Sequence, residues 1–242
     1  MKPTLMLCIP GDWADRRDFL TRVVKETNGE FMFAGMILAK PSAKIHVQLD
    51  LEEHDPRMAE SFRVSGQAKL SGELLQQVAD HRMVAYLHFD ISLILERSKL
   101  IEFSRLMQSV GGIAVKVESS GVAHDWETWF ALIDSEFDFD WYCSVMTLVE
   151  DEDTYYSCGM HHYLLEEVEV PSDMGIAAAA DLINQFNYWR IAEEPKIGDG
   201  HTFSLSNDSP RFRMKKVADD RHEPGDLFHN THGVWQLERV PV

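Results

Sequence analysis

The sequence predicts an α+β chain of two ferredoxin-like βαββαβ halves, residues 1–91 and 92–206, with an irregular β-rich C-terminal extension over 207–242. Three observations carry this expectation. The 242 residues are 45% hydrophobic, enough for one large core or two smaller ones. Strand-like and helix-like runs follow one another twice in the order β-α-β-β-α-β, the split-βαβ pattern. Corresponding segments also open alike. Asp12-Trp13 starts the first helix as Asp125-Trp126 starts its counterpart, and Met36-Ile37-Leu38 answers Met146-Thr147-Leu148 in the next strand. A duplication accounts for the length, against the simpler view that any α+β chain looks repetitive at this coarseness.

In the first half, Thr4–Ile9 reads as a strand ended by Pro10-Gly11. Asp12 is placed as the N-cap of a helix to about Thr27, with Trp13, Phe19, Leu20, Val23 and Val24 at near-helical spacing. Asn28-Gly29 stops it. Glu30–Ala39 and Lys44–Leu51 read as strands joined at Pro41-Ser42. A helical region broken near Ser65-Gly66 follows, clearest over Leu74–His81, and then the strand Met83–Phe89. In the second half, a helix over Ser92–Val110 leads through Gly111-Gly112 to a strand at Ile113–Val117. A helix over Asp125–Ile133 carries Trp126, Trp129, Phe130 and Ile133 on its apolar face. Trp141–Val149 and Thr154–Tyr163 read as a hairpin around Glu150–Asp153, followed by a helix over Met174–Ile191 and a strand at His201–Leu205. In the extension, Phe212–Lys216 and Val234–Val240 are strand-like.

Charge narrows the function classes. Forty acidic and 23 basic residues leave a formal −17, which repels nucleic acid phosphates and anionic membranes. The excess is local: residues 118–194 hold 18 acids and the single base Arg190, whereas 1–117 and 196–242 are each balanced. Cys8, Cys143 and Cys158 form no CxxC pair, as expected of a reducing cytoplasm. The N-terminal apolar run is too short for a secretory leader and no stretch has membrane-span length, so a cytoplasmic protein is expected.

No GxSxG, P-loop or GxGxxG motif is present, and no catalytic residue or cofactor is assigned. Among eleven histidines, His229 and His232 lie three apart in a polar loop. They would bind zinc with His201, His222 or Asp199 as a third ligand, although no spacing matches HExxH or a zinc finger, and solvated loop histidines are the commoner case. On the expected hairpin, Tyr142, Ser144, Gly159 and His161 share a face on which glycine leaves room for a ligand; the competing view covers that face with the helix Met174–Ile191. Asp134, Glu136, Asp138 and Asp140 alternate with Ser135, Phe137 and Phe139, so an extended segment would align the four carboxylates on one side. With Glu150, Asp151, Glu152 and Asp153 they form an acidic surface for a basic protein partner, unless they are simply a solvated face.

The run Gly111-Gly112-Ile113-Ala114-Val115, then Ser120-Gly121-Val122-Ala123-His124 and Trp126, resembles the bacterial domain of unknown function 4261 family. Cys158-Gly159-Met160-His161-His162, the acidic Glu166–Glu169 and Gly198-Asp199-Gly200-His201-Thr202 are similar to its later pattern, so the resemblance covers about residues 80–205. The chain departs from it at Leu164-Leu165-Glu166-Glu167, where a Gly-x-Pro-Asp type turn is expected. The resemblance implies no established reaction. The leading expectation is therefore a non-catalytic cytoplasmic binding protein, an immunity-type inhibitor being one version. The alternatives are a metal-dependent hydrolase using the C-terminal histidines and a small-ligand sensor in a cleft between the halves. An edge strand in either half would also serve a homo-oligomer.

Overall fold

The structure, a computed structural model, describes residues 5–89 and 96–240. The expected helix start at Ser92, the strand start at Thr4 and the boundary at 91/92 lie outside the described residues. The chain is α+β, and it forms two compact units, residues 2–136 and 137–242. No helix among the described residues is long and apolar enough to cross a membrane.

The first unit contains β1 (Leu5–Gly11), α1 (Arg16–Glu26), β2 (Met32–Ala34), β3 (Ile37–Lys40), β4 (Ile45–Glu53), α2 (Met58–Ser65), α3 (Gly72–Ala79) and β5 (Met83–Phe89). It continues through α4 (Arg97–Ser109), β6 (Val115–Val117), β7 (Val122–His124) and α5 (Trp126–Ile133). The helix stop at Asn28-Gly29 and the break at Gly66 fall where expected. The N-cap of α1 does not: Asp15 accepts the Asp18 N–H at 2.8 Å, while Asp12 pairs with Arg22 at 2.6 Å. Trp13 precedes the helix, fully buried, and its indole donates to the Val110 carbonyl at 2.7 Å. The segment Glu30–Ala39 folds back at Gly35, whose φ of +62° suits a tight turn, making two short strands where one was expected.

The first sheet has the order β2-β3-β4-β5-β1-β6-β7, every neighbouring pair antiparallel. A split βαβ unit would set β4 beside β1. Here the two-helix connection returns β5 between them, where Val84, Ala85, Leu87 and Phe89 are all buried. On one face, edge-to-face contacts of Trp13, Phe19 and Phe33, and of Phe31 and Phe89 with Phe103, pack α1 and α4 down. On the other, Met58, Phe62 and Val78 of α2 and α3 pack on Cys8 and Val84. β6 and β7 extend this first sheet and open no second half.

The second unit contains α6 (Asp138–Val145), β8 (Thr147–Glu150), β9 (Thr154–Cys158), β10 (Glu167–Pro171), α7 (Ile176–Glu193), β11 (Thr202–Phe203), β12 (Phe212–Val217) and β13 (Val234–Arg239). Its sheet runs β11-β12-β13-β10-β9-β8, with β10 and β13 parallel and the other pairs antiparallel. The two sheets therefore do not repeat one topology. Residues 207–242 are no appendage, since β12 and β13 are interior strands. Alternation places Val168, Val170, Phe212, Met214, Trp235 and Leu237 on one face, against Ala179, Leu182, Ile183 and Phe186 of α7.

Candidate functional site

The β8–β9 hairpin exists, but shorter than expected, because its first arm is helical up to Val145. Asp138 and Asp140 lie in the first turn of α6, where unpaired backbone N–H groups favour carboxylates. That preference overrides the strand-like alternation. Two residues apart on a helix, they point about 200° apart, so the expected single row of four carboxylates does not form. Asp134 instead follows the end of α5 and pairs with Arg105 at 2.5 Å, and Glu136 is exposed beyond it.

Glu150, Asp151, Glu152 and Asp153 form the hairpin tip, all exposed. Glu150 accepts the Tyr155 hydroxyl at 3.2 Å, the Asp151 carboxylate accepts the Glu152 N–H at 2.8 Å, and the Asp153 carbonyl accepts from Ser172 N at 2.9 Å. None of the four carboxylates has a basic partner among the described residues. The unit's interior acids contrast with them. Glu166 meets Lys216 at 2.5 Å and Arg190 at 3.2 Å, and Asp219 meets Arg221 at 2.9 Å.

The four residues expected to line a ligand face are core. Tyr142, Ser144 and His161 are 1%, 0% and 4% exposed. The Tyr142 hydroxyl donates to Asn184 at 2.8 Å and accepts from Asn187 at 3.3 Å, so α7 covers it. The Ser144 hydroxyl turns back to the Trp141 carbonyl at 2.7 Å, as helical serines do. Gly159, at φ +131°, is needed because a Cβ there would collide with the Val145 carbonyl. The space it leaves is filled by the chain itself.

Beneath this lies a buried polar hub that the sequence reading missed. Glu167 is 1% exposed, and its carboxyl accepts from Ser157 at 2.7 Å, the Gly159 and His161 N–H groups at 3.1 and 3.3 Å, and Asn230 at 3.1 Å. His161 Nδ1 stands 3.4 Å away, and its ring lies 4.1 Å from that of His162. Burial, then His161, pushes the His162 imidazole well below its ordinary range. Burial and then the Glu167 charge raise the Cys158 thiol. Burial brings Arg190 down to about 10, against Glu166 and Glu167. Although burial opposes it, Lys216 and Arg190 hold Glu166 below the usual carboxylate range. The available signal was the alternation in Glu167-Val168-Glu169-Val170, a strand with a glutamate at an inward position.

Of the expected zinc ligands, His229 and His232 share an open cleft of about 390 Å³ between residues 216–219 and 229–233. His201 does not line it; exposed elsewhere, it accepts the Gly198 N–H at 3.2 Å. Among the described residues no three His, Cys, Asp or Glu side chains converge as a metal site. Asp219, at the cleft floor, has one oxygen on Arg221 Nε at 2.9 Å and the other on Asn230 N at 3.0 Å. No protein family, curated protein or solved structure matches the chain.

Proposed function

We propose that the chain is a non-catalytic binding protein whose second unit offers the β8–β9 tip to a protein with a basic surface. One observation carries the reading: four consecutive exposed carboxylates lack basic partners among the described residues, while Glu166 and the buried Asp219 have them. Residues 137–242 hold 20 acids and 8 bases, so this unit supplies −12 of the −17. Unpartnered surface carboxylates cost little in water and steer a basic partner by long-range attraction. An immunity-type inhibitor of a basic toxin is the concrete form, and the reading fits a cytoplasmic protein. A low-salt pull-down with the untagged chain supplies the partner. Converting Glu150–Asp153 to Gln, Asn, Gln and Asn should then slow association about tenfold at low salt. Folding stability should change by no more than about 0.5 kcal/mol. Association that ignores both salt and the four substitutions would refute the proposal.

A further inference from the structure

The geometry points to a second binding function, independent of the acidic tip: the cleft between residues 216–219 and 229–233 takes a hydrogen-bearing phosphate, free or as the monoester of a small molecule. The groups already spent define what is left. Asp219 is committed through both oxygens, and Asn230 bonds the Leu165 carbonyl, Glu167 and the His232 N–H. Lys216 uses one ammonium proton on Glu166, leaving two. Thr231 is exposed, and His232 Nε2 is buried with no hydrogen-bond partner among the described residues.

His229 differs from these groups. Its Nδ1 lies 3.1 Å from the His222 carbonyl, which can only accept, so Nδ1 donates there and the neutral ring is left with Nε2 as an acceptor. The residues lining the cleft thus carry donors together with one acceptor, Nε2 of the neutral His229 ring. Hydrogen phosphate complements that set, with oxygens for the donors and an O–H for His229; sulfate has no proton to give. The unit's overall charge does not forbid this. Seven of its eight bases lie at or beyond Lys196, where residues 196–242 are balanced at seven acids and seven bases.

The test is titration of the full chain, followed by amide NMR, with inorganic phosphate, methyl phosphate and sulfate at constant ionic strength. Saturable shifts are expected at residues 216–219 and 229–233, with sulfate weaker by about tenfold, the scale of one lost charge-assisted hydrogen bond. His229→Phe should erase that preference, and Thr231→Val, at an exposed position, should weaken phosphate without touching the fold. Methyl phosphate binding as well as phosphate identifies a monoester site; binding of phosphate alone identifies the free ion. Sulfate binding as tightly as phosphate, unchanged binding in a folded Thr231→Val chain, no saturable response, or zinc held by His229 and His232 in place of phosphate would overturn the assignment.

Discussion

Glu167 ties together three segments of the second unit. Its carboxyl gathers donors from β9, the turn after it and the loop before β13. Glu167→Ala should therefore cost about 3 kcal/mol or more in urea unfolding, since it strands several buried donors at once. Glu167→Gln should also destabilise, because an amide NH₂ would face those donors; a loss under about 1 kcal/mol for both variants would show that the hub is not needed. His162 makes a pH prediction. Its folded-state pKa is depressed, so the fold holds it neutral, and that contribution is intact above the unfolded value near 6.5 and lost as pH falls below it. The urea midpoint should fall between about pH 6.5 and pH 5, and His162→Leu should flatten that fall. Glu166 and Asp219 have depressed carboxylate values, so their losses belong to a lower window, below about pH 4.5. A midpoint constant across the upper window would exclude His162 as its cause.

At the level of elements, periodicity located most helices and strands but not their neighbours. The alternation of Phe137-Asp138-Phe139-Asp140-Trp141 is a strand's pattern, yet the segment is helical because its aspartates suit a helix N-terminus. That shift displaced the expected ligand face into the core and dispersed the expected row of acids. The tip Glu150–Asp153 was legible because turn residues between strand-like runs are a local signal. β10 was not, since a Glu-Val-Glu-Val strand with Glu167 buried opposite its valines resembles an acidic run until its partners are known. His229 and His232, expected to share a metal, both line one cleft, whereas His201 depended on tertiary placement that spacing does not encode. The join of β9 to the turn after it gives a direct check. Gly159→Ala forces a left-handed backbone and a Cβ against Val145, so a loss of about 2 kcal/mol or more in thermal or urea unfolding is expected. A fully stable variant would mean that α6 can move aside.

On the scale of the whole chain, duplication fails on strand order, which composition and local pattern do not report. The first sheet is wholly antiparallel, and the second has a parallel pair at its centre. Each unit buries its own apolar set, so residues 1–136 and 137–242 made separately should each unfold cooperatively in urea. A non-cooperative, dye-binding product from either piece would refute that autonomy. The placement of β13 has a consequence in time. Of the strands in its sheet it is made last, yet it must lie between β10 and β12. Until residues 234–239 emerge, β10 has one edge open and Val168 and Val170 lack their neighbours Trp235 and Leu237. The second sheet therefore closes only once residues 234–239 have emerged, and until then its apolar strands are open to aggregation.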